Sequence, residues 1–262
     1  MSLKLLAPAK INLGLSIAGK LPNNFHEVKT IYTQISLFDL IELEEIKDDF
    51  IDFPDKRNLV YQAAKLVKEK LKVKRGVKIR LTKKIPIGSG LGGGSSDAAA
   101  VLKGLNKLWR LNLGQKKLIE MAKKLGSDVA YQIIGGTKLE FQGGEKAGKF
   151  MDLGKLIKGW IVVCVPEIFI SSKEAYQKIE YDKIGKTEVL WHNDFEIWSL
   201  KQYPEIKKIK ESMIKNGAEK SLMSGKGSAV FGIFTEKKEA EKAYNHLKQK
   251  YKKTYILEPI YD

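Results

Sequence analysis

A run of glycine and serine at residues 86–96 is the segment of this sequence with the clearest chemical meaning. It reads Pro86-Ile87-Gly88-Ser89-Gly90-Leu91-Gly92-Gly93-Gly94-Ser95-Ser96, and an apolar helical pattern follows it. Glycine lets a ligand approach the backbone amides closely, and the first turn of a helix has unpaired N–H groups. These groups and the positive end of the helix dipole favour phosphate. We therefore predict a phosphate-binding loop here rather than a flexible linker.

The spacing within the run excludes two common nucleotide motifs. No Gly-Lys-Ser/Thr follows the glycines, as a P-loop would require. The glycines also have the wrong spacing for a dinucleotide fingerprint, and no acidic residue stands at the expected later strand end. The run is thus predicted to be a phosphate-binding loop that is neither a P-loop nor a dinucleotide-binding loop.

Polar side chains elsewhere could complete a site. Lys10 and Asn12 share one face of a predicted strand, because strand side chains alternate, and could hold a hydroxyl or phosphate or simply face water. Asp128 lies in the first turn of a helix that Ser127 is predicted to cap. It could serve only the helix end, or it could orient a hydroxyl for phosphoryl transfer, in which positioning and charge neutralisation dominate.

Two more segments have open interpretations. The run 224–228, Ser-Gly-Lys-Gly-Ser, precedes a strand and could be a tight turn or a second backbone wall for phosphate. Phe25 and His26 follow a turn at 22–24. They could stack on and hydrogen bond with a base, or be an apolar plug and a surface histidine.

The elements that must position these segments alternate between strands and helices. The first half predicts strands at 3–7, 11–18, 29–38, 40–46 and 77–82, and helices from the N-cap Asn58 to about Leu71, from the glycine run to about Trp109, and at about 115–125. The second half predicts strands at 160–165, 228–234 and 253–258 and helices at 172–179, 204–216 and 236–250. The alternation of strands with helices predicts an α+β fold, and glycines crowd at 145–158, so we predict a boundary there between an N-terminal lobe at 1–150 and a C-terminal α+β lobe at 151–262.

Composition narrows the partners. The 262 residues include 47 basic and 31 acidic ones, and the net charge of +16 favours anionic partners. The lysines are spread over helix faces and arginine is scarce, so we expect no nucleic-acid partner. No apolar run approaches a membrane span and no signal peptide is visible, which predicts a cytoplasmic protein without a membrane partner, monomeric or homodimeric. The single cysteine, Cys164, is predicted to be a buried structural thiol.

Three of these segments, in this order, resemble the motifs of the GHMP kinases. They are residues 8–15, 90–96 and 224–228, and the step Phe25-His26-Glu27 lies between the first two. The triple glycine before two serines resembles most the branch that phosphorylates a cytidine-diphosphate-linked methylerythritol in isoprenoid precursor biosynthesis. The resemblance implies a two-lobed GHMP-kinase-like α+β fold, with an N-terminal ATP-binding lobe at 1–150 and the active site between the lobes. It also implies ATP-dependent phosphoryl transfer to a hydroxyl of that small molecule.

The resemblance further implies roles for individual residues. ATP phosphates would lie on Pro86–Ser96, bridged by Mg²⁺ with Ser96 as a ligand, and Asn58 and Lys83 would lie near the adenine. Asp128 would match the catalytic aspartate, and Lys10 the lysine that pairs with it. The residues implied in substrate binding are Asn12, Phe25, His26 and Tyr176. Phe25 replaces a usual tyrosine, and Lys226 replaces a usual small residue and could reach the substrate diphosphate or solvent.

Two other interpretations stay open. One is another small-molecule kinase of the same superfamily, of the homoserine or mevalonate type, which would have no use for a cytosine pocket. The other is a non-catalytic basic module that binds nucleotides or nucleic acid. That module would bind with a steep salt dependence and would not turn over ATP.

Overall fold

The computed structural model describes residues 1–20, 26–142, 148–185 and 188–261. Its strands are β1 (Ser2–Lys20), β2 (His26–Ile46), β3 (Ile51–Asp52), β4 (Gly76–Thr82), β5 (Lys138–Gln142), β6 (Lys149–Asp152), β7 (Trp160–Cys164), β8 (Lys220–Met223), β9 (Val230–Phe234), β10 (Thr254–Leu257) and β11 (Pro259–Ile260). Its helices are α1 (Leu59–Leu71), α2 (Gly93–Leu108), α3 (Gln115–Lys123), α4 (Ser127–Ile134), α5 (Ser172–Gln177), α6 (Glu196–Gln202), α7 (Pro204–Lys215) and α8 (Lys237–Lys248). The predicted α+β class is confirmed.

The boundaries of α1 follow from its sequence as predicted. The Asn58 side chain accepts a hydrogen bond from the backbone N–H of Val60 at 2.9 Å, which satisfies one of the open donors of the first turn. The helix buries one apolar face, which includes Ala63 and Val67. It ends where Lys72 takes a left-handed conformation, with φ of 51°.

The N-terminal strands are longer than predicted. The four expected strands at 3–7, 11–18, 29–38 and 40–46 are two uninterrupted ones, β1 and β2. Pro8 does not end β1. Backbone N–H groups two residues apart point to the same edge of a strand, and the N–H of Lys10 donates to the carbonyl oxygen of Leu91 rather than to β2, so no bond to β2 is lost at Pro8. Asp39 does not end β2 because its buried carboxylate accepts hydrogen bonds from the backbone N–H groups of Lys84 and Ile85.

The chain divides into two compact units. The first unit consists of Met1–Ala9, Leu37–Ile87 and Gly92–Gly135, and the second of Lys10–Ser36, Gly88–Leu91 and Gly136–Asp262. Strands β1 and β2 therefore each contribute residues to both units. The lobes expected at 1–150 and 151–262 stay a prediction.

In the first unit, helices pack together beside a short part of a sheet. The C-terminal part of β2 pairs antiparallel with β4, from Leu40 opposite Thr82 to Ile46 opposite Gly76, and β3 pairs parallel with β4. Helix α2 packs against α1 and α4, and α3 packs against α4. Burial of the apolar residues of α2, such as Val101 and Leu105, supplies the main stabilisation of this core.

The second unit contains an antiparallel sheet in the order β10-β7-β9-β8, on which α7 and α8 pack. Its core includes Val162, Cys164, Ile209 and Val230. The N-terminal part of β2 also pairs here, with β5 along Val28–Tyr32 and with β11. The predicted elements from residue 160 onward are confirmed within a few residues at each end.

Two further predictions concern the thiol and the membrane. Cys164 is buried in β7, as expected of a structural cysteine, and burial raises the pKa of its thiol to about 12. Within the described part of the chain, no helix combines the length and the apolar character that crossing a membrane requires.

Candidate active site

Helix α2 begins inside the glycine run. Gly92 is its N-cap, and residues 93–96 form its first turn. Gly88, Gly90 and Gly92 have φ of 71°, 84° and 69°, in the region that glycine reaches without strain. The run is therefore a shaped loop that leads into the N-terminus of a 16-residue helix. Such a terminus offers backbone donors and a favourable dipole to an anion.

Two buried polar atoms at the start of α2 lack a hydrogen-bond partner among the described residues. They are Ser96 Oγ and Asp97 Oδ1, directly after the glycines. A buried hydroxyl without a hydrogen bond costs free energy, so the position suits a group that is completed by a ligand. Mg²⁺ is often bound by few protein oxygens together with phosphate oxygens of a substrate, and the Oγ atom of Ser96 is an oxygen of that kind.

Lys83 lies beside the start of α2. Its Nζ donates to Asp97 Oδ2 at 2.7 Å and to Asp39 Oδ2. Both carboxylates are buried. Burial raises the pKa of Asp97 to about 7, although the hydrogen bond and charge of Lys83 oppose the shift. Neither aspartate was predicted as a site residue, although each is an acidic residue within an apolar pattern, Asp39 in a strand and Asp97 in a helix.

Two more predicted site residues belong to the first unit. Asn58 caps α1, and its expected place near adenine stays a prediction. Asp128 lies in the first turn of α4, as expected, and its charge adds to burial in raising the pKa of Tyr131 well above its usual value. The prediction that Ser127 caps this helix was wrong. Ser127 is the first residue of α4, and Gly126, with φ of 149°, is the N-cap, so no side chain of the described residues makes a capping hydrogen bond there.

Lys10 and Asn12 are adjacent in the second unit, as their spacing on β1 predicted. Lys10 Nζ donates to Asn12 Oδ1 at 2.5 Å, and Asn12 Nδ2 donates to Thr30 Oγ1 at 2.8 Å. Lys10 and Asn12 are only 4% and 2% exposed. Lys10 Nζ also lies 5.5 Å from the ring centroid of Tyr32. A buried ammonium held by an amide has little freedom, so its position is fixed by its neighbours.

The run 224–228 contacts both other motifs within the second unit. Ser224 Oγ donates to the carbonyl oxygen of Gly90 at 3.0 Å and accepts from the backbone N–H of Asn12 at 3.2 Å. The backbone N–H of Ala229 donates to the carbonyl oxygen of Ser89 at 2.9 Å. The approach is close, since a Cβ on Gly90 would lie 2.2 Å from the carbonyl oxygen of Ser224. The three segments are therefore joined by direct hydrogen bonds.

Asn193 holds this third segment and was not predicted. Its Nδ2 donates to the carbonyl oxygens of Met223 and Gly225, both at 2.7 Å, and its Oδ1 accepts from the backbone N–H of Phe195. It is buried. The signal in the sequence was the polar triplet 192–194 between apolar stretches, which by itself looks like a surface loop.

Lys226 was expected to reach either the substrate diphosphate or solvent, but its side chain contacts the protein. Its Nζ donates to the carbonyl oxygen of Ile170 and lies 5.4 Å from the ring centroid of Phe169. Burial lowers the pKa of this lysine. Its ammonium group therefore joins the third segment to residues 169–170 of the second unit.

An aromatic cluster surrounds His26 in the second unit. The His26 ring is stacked with Tyr176, with centroids 4.7 Å apart and planes at 25°, and with Tyr181 at 6.0 Å and 15°. His26 Nε2 lies 2.6 Å from the Tyr181 hydroxyl. The structure thus brings together two predicted substrate residues, His26 and Tyr176, and adds Tyr181. The predicted Phe25 lies outside the described residues.

Comparison with known proteins decides the family. Residues 58–136 match the family model of the GHMP kinases N terminal domain, and residues 188–253 match GHMP kinases C terminal. A 4-diphosphocytidyl-2-C-methyl-D-erythritol kinase of Geobacillus sp. (strain WCH70) is 40% identical, over 95% of this chain and 93% of its own. One of Bacillus subtilis (strain 168) is 40% identical, over 92% and 91%. The chain belongs to the 4-diphosphocytidyl-2-C-methyl-D-erythritol kinase family.

A solved structure agrees with this family. The crystal structure of a 4-(cytidine 5'-diphospho)-2C-methyl-D-erythritol kinase matches with a TM-score of 0.86 and 31% identity, over 97% of this chain and 98% of that one. The GHMP-kinase fold and the family resemblance drawn from the motifs are therefore confirmed. For this member of the kinase family, the roles of individual residues stay predictions.

Proposed function

We propose that this chain transfers the γ-phosphoryl group of ATP to a hydroxyl of 4-diphosphocytidyl-2-C-methyl-D-erythritol. Relatives with that activity in their names match over more than nine-tenths of both chains. The structural observation that carries the proposal is the direct bonding of Asn12, Gly90 and Ser224, which unites the three motif segments. The reaction belongs to isoprenoid precursor biosynthesis.

The glycine run is assigned to the triphosphate of ATP. Its backbone conformation and the first turn of α2 supply donors for phosphate oxygens without a basic side chain. Ser96 is the residue we assign to Mg²⁺, because its hydroxyl is buried without a partner in the described ranges. When bound, the ion would neutralise charge on the phosphates.

Asp128 and Lys10 are assigned to the chemical step. Asp128 would orient the acceptor hydroxyl and take its proton on a carboxylate oxygen as that hydroxyl oxygen bonds to the γ-phosphorus. The bond from the γ-phosphorus to the bridging oxygen breaks, and ADP leaves. Lys10, held by Asn12, would stabilise the charge on the transferred group. Most of the rate would come from this positioning, since phosphoryl transfer asks little covalent chemistry of the protein.

The cytidine end of the substrate is assigned to the aromatic cluster of His26, Tyr176 and Tyr181, together with the predicted Phe25. Near-parallel rings beside an imidazole suit a flat base, which stacks on aromatic faces and hydrogen bonds along its edge. This cluster favours the cytidine substrate over the homoserine or mevalonate alternative, whose substrates have no base.

The deciding experiment measures ADP release from ATP and Mg²⁺ with and without 4-diphosphocytidyl-2-C-methyl-D-erythritol. We expect turnover that depends on this acceptor, with homoserine and mevalonate inactive as acceptors. Turnover with one of those two instead would move the chain to another GHMP kinase activity. ATP binding with a steep salt dependence and no turnover with any acceptor would favour the basic binding module. A monomeric or homodimeric state and the lack of a nucleic-acid partner also stay predictions.

A further inference from the structure

A buried ionic cluster joins the segment before the glycine run to the helix after it. Lys83 Nζ contacts Asp39 Oδ2 on β2 and Asp97 Oδ2 on α2, the latter at 2.7 Å. Asp39 Oδ1 accepts from the backbone N–H groups of Lys84 at 2.5 Å and of Ile85 at 2.9 Å. The side chains of Asp39 and Asp97 are 0% and 2% exposed. We call Asp39, Lys83 and Asp97 the clasp.

The clasp fixes the two ends of the glycine run relative to each other. Lys83 lies three residues before Pro86, and Asp97 directly follows Ser96. The first residue of α2 packs on the same lysine, since a Cβ on Gly93 would lie 3.1 Å from Lys83 Nζ. Within the first unit, the chain therefore enters and leaves the run at positions that one ammonium group holds together.

Stability alone is a weak reason for such a cluster. Buried charges lose their hydration, and their mutual attraction often only balances that loss, so apolar residues of similar volume can stabilise a fold as well. Here one carboxylate oxygen, Asp97 Oδ1, even lacks a hydrogen-bond partner anywhere in the described ranges. Charged hydrogen bonds fix the direction in which two side chains face each other, because their angles and distances are restricted. Apolar packing does not impose such a direction.

We propose that the clasp positions the glycine run for ATP, with Asp97 acting through Lys83. The inference rests on the proposed kinase function. All three side chains are positioning residues, because their assigned contacts are with one another and with backbone rather than with reacting atoms. The predicted place of Lys83 near adenine is compatible with this role, since the clasp uses only its ammonium group.

The substitution Asp97→Asn separates positioning from simple charge. At pH 8 it removes a negative charge next to the phosphate-binding loop, so the loss of Coulomb repulsion alone predicts tighter ATP binding. Loss of the ion pair with Lys83 loosens the loop and predicts weaker binding. We expect the second effect to dominate, with the Kd for ATP rising roughly 5- to 30-fold. The two explanations therefore predict opposite signs.

The experiment is calorimetric titration of the full chain with ATP and Mg²⁺. It compares the wild type with Asp97→Asn, Lys83→Met and the double variant, and with Glu42→Gln as the control. Glu42 lies on the same strand as Asp39 but forms a surface ion pair with Lys4. We expect Lys83→Met to weaken ATP binding, the double variant to bind no more weakly than Lys83→Met, and Glu42→Gln to match the wild type. We expect the KM for the acceptor to change less than the Kd for ATP in Asp97→Asn, because the contacts described for the clasp are among its own side chains and with the backbone before the glycine run.

Thermal melts establish that each variant is folded. Asp97→Glu is measured beside Asp97→Asn, since it keeps the charge but displaces it, and the clasp predicts weaker ATP binding for it too. Equal or tighter ATP binding by either folded Asp97 variant would overturn the clasp and leave the kinase function intact. A wild-type chain that binds no ATP would overturn the proposed function, and the clasp with it.

Discussion

At the scale of single residues, the proposed chemistry depends on Asp128 in the first turn of α4. Asp128→Asn keeps the shape of the side chain but removes the group that accepts the proton. We expect kcat to fall about 10²- to 10⁴-fold, the usual contribution of a positioned general base. The Kd for ATP should change little. Steady-state kinetics and calorimetry check both expectations, with Glu120→Gln on the neighbouring helix α3 as the control. A variant with near-normal kcat would contradict the assignment of Asp128.

Tyr181 contacts the predicted substrate residue His26, although the sequence did not mark it as a site residue. Its hydroxyl lies 2.6 Å from His26 Nε2, so it holds the imidazole in one orientation. Tyr181→Phe keeps the ring and removes this bond, and we expect the KM for the cytidine substrate to rise roughly 2- to 12-fold, as the loss of one hydrogen bond implies. Neither kcat nor the KM for ATP should change. Tyr255→Phe on β10 is the matched control, and a Tyr181→Phe enzyme with unaltered substrate KM would exclude this role.

At the scale of elements, two glycines of one run have opposite requirements. Gly90 has φ of 84°, and a Cβ there would meet the carbonyl oxygen of Ser224 at 2.2 Å. Gly94 lies in the first turn of α2, and a Cβ there would meet nothing within 4 Å among the described residues. Gly90→Ala should lower the free energy of unfolding by at least about 1–3 kcal/mol, because strain and a backbone clash add together. Gly94→Ala should raise it by about 0.5–1 kcal/mol through helix propensity.

Urea unfolding of the two alanine variants beside the wild type tests this pair. Equal stability of the two would show that the glycine run is not held by the third segment as described. ATP binding is measured separately, since a methyl group at Gly94 stands in the loop assigned to phosphate and is expected to weaken nucleotide binding despite the more stable fold.

Local patterns in the sequence were sufficient for much of the fold and for part of the site. Helix α1 was predictable because Asn58 and an apolar period of 3.6 act within a few residues. The continuity of β2 was not, because Asp39 is tolerated there only through hydrogen bonds from residues 83–85, far along the chain. The Lys10–Asn12 contact followed from strand alternation. The clasp and the contact of Tyr181 with His26 could not be predicted in this way, because each is formed between residues distant in sequence.

At the scale of the whole molecule, the single cysteine reports on unfolding. Cys164 is buried in the central part of the second unit's sheet, and burial raises the pKa of its thiol from 9.0 to about 12. A thiol reagent at pH 8 should therefore modify the folded chain far more slowly than the unfolded one, since the thiolate is the reactive form. Labelling with and without urea, read by mass spectrometry, measures the difference. Fast labelling of the folded chain would contradict this burial.

The same pKa sets the sign of a pH effect. The folded state keeps the proton of Cys164 where the unfolded chain has already lost it. The stabilising contribution of this proton is complete below about pH 9 and is lost as the pH rises toward 12. Cys164→Ala should remove that part of the alkaline loss of stability, which urea unfolding at several pH values would measure. An unchanged alkaline profile in the variant would contradict it.

The pairing of the C-terminal strand β11 with β2 determines how late the chain can finish folding during translation. Glu258 and Ser36 hydrogen bond across a separation of 222 residues, and Thr254 stands opposite Cys164 in the sheet of the second unit. Contacts so far apart in sequence form slowly and late. Nascent chains stalled before residue 254 should therefore leave Cys164 open to thiol reagents, whereas chains released after residue 260 should protect it. The second unit is thus expected to mature only near the end of translation, and until then its unpaired strands would depend on chaperones for protection from aggregation.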